Sequence, residues 1–532
     1  MHLITISLIL ILALVAIRLS DKLSMPQLLF FMILGVGFNF IGFEFNDFAF
    51  SEAFSSLALM FIIFYGGFGT KWKMTKPVAK EAITLSFLGT ILTALITGAF
   101  VYFIFDFTLI EALLLGSIVG STDYASVSSI LQSQNLNLKF NTSSLLELES
   151  GSNDPTAFTM VTVCLLIMAG QEVNIPLLIL LQVGLGIGLG FLMGYLFMRI
   201  IDFLNFDEGM LTIFLAATAL FTYAFANQIG GNGYLAIYIF GIYVGNKEFI
   251  SKRAVVFFFD GITNLAQIGL FFLLGFLSNP SNILQAMPVA LVVMLFMTLV
   301  ARPASVFALM APFKLQTNQL VVISWAGLRG AAAIAFAIVA VNSGAVMAND
   351  LFHIVFDICL LSALIQGGLL PWLTRQTDML DPTDSVLKTF NYYQDKSEIG
   401  FFQTEVKPQS HLVGKQIKDL NLEFDFILAK IQREDQPIVP KGDVRLQPGD
   451  QVILVGKQYF DPSGTDLVEF KINDFHRWKG KALQELQLPD NYLIVLVQRS
   501  DNEFIVPSGS TVIEEGDTVI ALNPSARAKP KR

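Results

Sequence analysis

The chain has 532 residues, 54% of them hydrophobic and only 14% charged, against about 25% charged in a soluble globular protein. Such a composition excludes an ordinary soluble enzyme, and a net charge of −9 without a basic stripe gives no reason to expect a nucleic-acid partner. Residues 1–380 hold few ions and read as a polytopic domain in a lipid bilayer, whereas 381–532 have the charge density of a soluble protein.

In chain order, Leu3 to Ala16 is an apolar run with neither a basic leader nor a clear cleavage site, so it reads as a retained first span. Hydropathy then predicts about thirteen spans, near 3–20, 26–43, 50–70, 81–105, 109–132, 142–170, 175–201, 209–228, 232–246, 253–278, 283–311, 317–342 and 351–374. Lys and Arg fall in the odd-numbered loops, as at Arg18, Lys71, Lys139, Arg199, Lys247 and Lys314. The even loops carry acids instead, as at Glu44, Asp47, Asp106, Glu172 and Asp350. The positive-inside rule then places the N-terminus outside and everything after the last span in the cytoplasm.

The fifth and twelfth spans are interrupted. One contains Gly120-Ser121-Thr122-Asp123 and the other Gly327-Leu328-Arg329-Gly330. Paired broken helices in two halves point to an inverted-repeat transporter. The sixth span carries Glu149-Ser150-Gly151-Ser152-Asn153-Asp154-Pro155 at mid-membrane. An ionisable group there costs about 2.5–3.5 kcal/mol even on lenient insertion scales, so it marks an ion or proton route. Helical spacing sets Ser150 over Asp154 and Glu149 over Asn153. Asp154 and Ser150, with Thr122 and Asp123 from the broken span, form a set of hard oxygen ligands suited to an alkali cation. One carboxylate can hold a proton or a cation, and their competition suffices for exchange. Ser121, Thr122 and Asp123 are equally suited to cap the second half-helix. In the last span, His353 and Asp357 sit one turn apart and predict a local pair. Gly184, Gly186, Gly188 and Gly190 predict close helix packing.

Residues 378–397 read as a polar linker. An internal repeat follows. Gly414-Lys415-Gln416-Ile417-Lys418-Asp419-Leu420 returns as Gly480-Lys481-Ala482-Leu483-Gln484-Glu485-Leu486, and Pro448-Gly449-Asp450 returns as Glu515-Gly516-Asp517. Each copy alternates short β-branched strands with one helical turn and a Gly-Asp turn.

These motifs together resemble the monovalent cation:proton antiporters of the NhaP-type, or Asn-Asp, branch. The likeness covers residues 1–377 and rests on the Asn153-Asp154 stretch, Gly120-Ser121-Thr122-Asp123, Phe64-Tyr65-Gly66-Gly67, Ala301-Arg302-Pro303 and Gly327-Leu328-Arg329-Gly330. It implies ion binding by Asp154, Ser150, Asp123 and Thr122, with Asn153, Glu149, Arg329 and Arg302 in structural or electrostatic roles. Glu149 and Arg329 are expected to pair. Asn153, where an electrogenic branch has an acid, implies electroneutral exchange. Tyr124 stands where the family has Pro or Ala. Residues 398–457 and 464–523 resemble tandem TrkA-C (RCK C-terminal) modules. That likeness implies a cytoplasmic tail that pairs in a homodimer and is either a plain scaffold or a regulator binding a nucleotide such as cyclic-di-AMP or an adenine nucleotide; the basic side chains Lys430, Arg433, Lys481 and Arg499 are candidates to neutralise its phosphates. The fold expected is an all-α polytopic membrane domain of inverted repeats with two broken helices, followed by two small α+β modules, in a bacterial cytoplasmic membrane.

Two other classes compete. A potassium channel with the same tail would need a carbonyl-ring filter sequence, which is absent. An ion-coupled solute symporter would need a larger midplane site than three or four hard ligands. No Ser/His/Asp, Cys/His, zinc or P-loop pattern suggests an enzyme.

Overall fold

The computed structural model describes residues 2–380 apart from 24–25, 41–46, 134–135, 205, 248 and 250–251. It also describes 399–522 apart from 411, 420–426, 434–435, 458–466, 473–477, 487, 489–492, 500–503 and 506. The chain divides into two units, Met1–Lys388 and Thr389–Arg532. Most of the predicted linker lies outside the described residues.

The first unit is helical. Its elements are α1 (His2–Leu23), α2 (Gln27–Phe40), α3 (Phe48–Gly69), α4 (Trp72–Ile104), α5 (Leu109–Ile118), α6 (Tyr124–Ser133), α7 (Thr142–Met168) and α8 (Ile175–Leu204). They continue as α9 (Glu208–Gln228), α10 (Gly233–Gly245), α11 (Lys252–Leu277), α12 (Pro280–Phe313), α13 (Thr317–Trp325), α14 (Ala331–Asn342) and α15 (Leu351–Gln376). Seven helices among the described residues are long and apolar enough to cross a membrane, and further apolar helices are shorter. Large apolar side chains such as Phe103, Leu180, Phe203 and Leu284 are exposed, as hydrocarbon-facing side chains are.

Small residues decide how closely the helices approach. A Cβ at Gly35 of α2 would lie 2.2 Å from the Phe272 carbonyl, and one at Gly275 of α11 would lie 2.1 Å from the Met32 carbonyl. Of the alternating glycines on α8, only Gly186 and Gly190 press on α10, because helical spacing selects that face; Gly184 and Gly188 have open space beside them. Polar residues at helix starts do local work. Asp47 caps α3, Asp350 caps α15, and Thr108 with Glu111 forms a capping box on α5.

The His353–Asp357 pair predicted in α15 does not form. His353 Nδ1 lies 2.7 Å from Asp350 Oδ2, and its Nε2 accepts the Asn279 amide at 2.9 Å. Neither Asp357 oxygen has a hydrogen-bond partner among the described residues. The helix start competes successfully for the imidazole because Asp350 is already fixed there as the cap.

The second unit holds two four-stranded antiparallel sheets. The first orders β1 (Ile399–Glu405), β2 (Ile427–Arg433), β3 (Gln436–Ile438) and β4 (Gln451–Lys457) as β1-β4-β2-β3. The second orders β5 (Leu467–Lys471), β6 (Leu493–Gln498), β7 (Phe504–Ile505) and β8 (Thr518–Leu522) as β5-β8-β6-β7. The repeat extends to irregularities, with register shifts at Leu428/Lys430 and Ile494/Leu496. Each module closes over its own small core, Val406, Ile431, Leu446 and Val452 in one, and Ile472, Val497, Ile513 and Val519 in the other. The Gly-Asp motifs are turns, with φ of 85° at Gly449 and 87° at Gly516, where glycine carries no steric penalty.

Candidate functional site

Two helices break at one place. The chain leaves α5 after Ile118 and resumes helix at Tyr124, and it leaves α13 after Trp325 and resumes at Ala331. The Asp123 amide donates to the Leu328 carbonyl at 2.8 Å, joining the two breaks. The carbonyls after α5 lack helical partners and carry the negative end of its dipole. Arg329 answers them, its Nη1 donating to Gly120 O at 2.8 Å and Ser121 O at 2.5 Å. Asp123 serves the opposite end. Its Oδ1 accepts from the Ala125 amide at 3.0 Å, and its Oδ2 from the Ser126 hydroxyl at 2.5 Å, which caps α6. Its carboxylate also lies against the start of α14, where a Cβ on Gly330 would sit 2.0 Å from Oδ2.

Helix α7 passes this crossing unbroken despite Pro155. The Pro155 carbonyl accepts from Asn232 Nδ2 at 2.9 Å and from the Thr159 hydroxyl at 2.9 Å, and Thr159 lies 2.6 Å from Gln182 Oε1. A buried polar knot thus ties α7 to α8 and α10.

The α7 side chains meet the broken segment one by one. The Ser121 hydroxyl donates to an Asp154 carboxylate oxygen and lies 3.1 Å from Asn153 Oδ1. Asn153 Nδ2 donates to Thr122 Oγ1 at 2.7 Å. The Ser150 hydroxyl donates to the Thr122 carbonyl at 2.8 Å and accepts the Tyr124 amide at 2.8 Å. A proline at 124 would have no such amide to give. Thr122, Asp123, Ser150, Asn153 and Asp154 therefore come together as a group. The hydroxyl on Asp154 is nevertheless that of Ser121, since Ser150 is spent on the backbone of the break.

A cleft lined by Gln27, Phe31, Asp123, Ser126, Ser129 and Gln267 leads to this point. Asp123 forms part of its wall, and Asp154 lies within electrostatic reach of Asp123.

Glu149 pairs with Arg302 rather than with Arg329 as expected; Arg302 Nη2 donates to its Oε1. Both residues are buried. Two local causes combine. Arg329 is drawn to the free carbonyls of the α5 end. Arg302 follows a π turn at Met297–Ala301, with its amide donating to the carbonyl of Met297 five residues back, ahead of Pro303. Glu149 Oε2 and Arg302 Nε and Nη1 have no partner among the described residues, so the pair is held by one contact.

The basic residues of the tail have different surroundings. Arg433 donates to both Asp450 oxygens at 2.7 and 2.8 Å, and Arg499 donates to Asp517 at 2.8 Å. Each arginine also reaches a backbone carbonyl, Arg445 O or Val512 O. Both are committed inside their own module, and the Arg433 bond holds the Asp450 carboxyl below its ordinary value near 3.8. Lys481 is exposed, and Lys430 reaches Gln432 at 3.4 Å.

Residues 9–376 match the family model described as "Sodium/hydrogen exchanger, transmembrane". The chain belongs to this exchanger family. It is a multi-pass membrane cation/proton antiporter. Residues 401–458 and 467–529 match the TrkA-C domain. Among curated proteins, the exchanger is 31% identical over 454 residues to the K(+)/H(+) antiporter NhaP2 of Shewanella sp. (strain ANA-3), covering 82% of this chain and 78% of that one. It is 28% identical over 464 residues to the K(+)/H(+) antiporter NhaP of Alkalimonas amylolytica, covering 85% of this chain and 80% of that one. Among solved structures, the sodium proton antiporter MjNhaP1 from Methanocaldococcus jannaschii matches with a TM-score of 0.63 at 21% identity, over 69% of this chain and 100% of that one. That match establishes a shared fold.

Three groups of the exchanger escaped the sequence reading. Ser121 stood in a quoted motif but was read only as a helix cap. Tyr65 and Asp260 approach to 3.4 Å from helices 195 positions apart. Glu147 lies on α7 two turns before Asp154, within electrostatic reach of Lys71. Helical spacing finds neighbours on one helix, and the first two of these are made between elements.

Proposed function

We propose that the protein exchanges K+, and secondarily Na+, for protons one for one, with Asp154 carrying proton and cation in turn. The observation that carries this reading is the meeting of Asp154, Ser121, Asn153, Thr122 and Asp123 at the crossing of two broken helices. Their oxygens suit an alkali cation, and the neutral Asn153 leaves Asp154 as the acid of the pair. The names of the two K(+)/H(+) antiporter relatives favour K+. We count each broken pair, α5/α6 and α13/α14, as one crossing. That gives thirteen spans in inverted repeats, an outside N-terminus and a tail in the bacterial cytoplasm, in keeping with the loop charges. The tail modules would pair in a homodimer and gate exchange on binding an anionic nucleotide, cyclic-di-AMP being the first to try.

The test is proton movement in proteoliposomes driven by K+ or Na+ gradients. Wild-type protein should exchange K+ with a rate independent of a clamped membrane potential. Asp154→Asn should abolish exchange with either cation. Wild-type-like exchange by Asp154→Asn would end the reading, and a rate that scales with potential would end its electroneutral part.

A further inference from the structure

Glu147, Gly151 and Asp154 lie along one face of α7, at spacings of four and three residues. The two carboxylates are about 10 Å apart along the helix axis. Between them, Gly151 leaves room for a phenol from α10. A Cβ on Gly151 would lie 2.6 Å from Tyr238 Cε2 and 2.7 Å from its hydroxyl oxygen. Tyr238 is 2% exposed, and its hydroxyl is buried beside α7. The Thr70 hydroxyl donates to the Gly66 carbonyl at 2.8 Å and keeps lone pairs to accept from the phenol. The phenol is within electrostatic reach of both Glu147 and Asp154. A phenol that donates to Thr70 keeps its own lone pairs free, so its oxygen suits an intermittent cation. Glu147 is coupled in turn to Lys71, at the start of the Lys71–Lys80 segment.

We propose that Glu147 receives the transported cation from the membrane face that carries Lys71, and that the Tyr238 hydroxyl is the oxygen ligand that passes it to Asp154. This rests on the exchange reading above. The cation arriving at Glu147 meets a carboxylate, then a neutral oxygen over Gly151, then the second carboxylate. Gly151 lies between the two acids on this face, so each step is shorter than the interval between them. The Asp123 cleft is a separate approach lined by other helices.

The experiment uses the full-length protein in proteoliposomes of both orientations, with K+ added at one face at a time. Glu147→Gln should raise KM for K+ roughly tenfold from the Lys71 face, where the cation first contacts this carboxylate and a charged contact is lost, and leave KM from the other face unchanged. Glu147→Asp, which keeps the charge, should retain the wild-type KM. Tyr238→Phe keeps the ring and should lower turnover about fivefold with KM unchanged, the loss of one oxygen ligand. An unchanged KM in Glu147→Gln, or one raised equally from both faces, overturns the proposal. If Glu147→Gln does not fold, wild-type turnover in Tyr238→Phe overturns it alone. Absence of exchange by the wild-type protein in the same vesicles would instead refute the exchange reading.

Discussion

Replacing Glu149 by Gln leaves Arg302, 2% exposed, beside a neutral amide in the buried interior. Breaking a buried pair by removing one partner costs about 3–5 kcal/mol, because the remaining charge stays buried. Arg302 has no spare bonds to absorb the loss, since Nε and Nη1 already lack partners among the described residues. A loss in the middle of that range, about 4 kcal/mol, is expected. At roughly 2 °C per kcal/mol for a large domain, the midpoint should fall by about 8 °C. The assay is thermal unfolding of purified protein followed by tryptophan fluorescence. A double-mutant comparison identifies the partner. Glu149→Gln with Arg302→Met removes both charges and should recover most of the loss. Glu149→Gln with Arg329→Met should lose more, because Arg329 serves the Gly120 and Ser121 carbonyls. Recovery by Arg329→Met and not by Arg302→Met would refute the pairing and the account of why it forms.

Ser121→Ala removes the hydroxyl on Asp154 and should weaken cation affinity about tenfold, read as KM in proteoliposomes; an unchanged KM would remove Ser121 from the site. Gly330→Ala drives a methyl into the Asp123 carboxylate and should cost about 1–3 kcal/mol of thermal stability, while Gly184→Ala, beside open space, should cost nothing. In the tail, the depressed Asp450 carboxyl contributes stability above its ordinary value near 3.8 and loses it as pH falls through the lower folded value. Hydrogen exchange of β2 and β4, corrected for intrinsic rates, should therefore show constant protection at neutral pH and a loss below that value. Asp450→Asn should lower protection at neutral pH and remove the acid loss; an unaltered acid limb would show that Arg433 contributes nothing.

Much of the site was legible because cost concentrates information. Carboxylates and arginines within apolar spans needed a reason, and that singled out Asp123, Glu149, Asp154, Arg302 and Arg329. The repeated tail was legible down to its turns, since glycine at positive φ and strand alternation are local properties. Pairings between helices were not. Which arginine meets Glu149 depends on a π turn ahead of Pro303 and on carbonyls exposed by a break in another helix. The same limit hid Ser121 behind Ser150, and Tyr238 behind the glycine that admits it. His353 turned to Asp350 because helix capping, also local, outweighed the spacing to Asp357.

The crossing can also be viewed as an electrical circuit. Asp123 is set against the positive starts of α6 and α14, and Arg329 against the negative end of α5. Glu149 and Arg302 cancel each other. Asp154 accepts from the Ser121 hydroxyl and has no cationic side chain paired with it among the described residues, so on the proposed reading its compensating charge arrives as the transported ion. Under the proposed exchange, proton and alkali cation are interchangeable at one open terminal, and the voltage at the crossing is flat whenever either is seated. If exchange is one for one as proposed, the loaded core crosses the membrane with the same net charge in both directions.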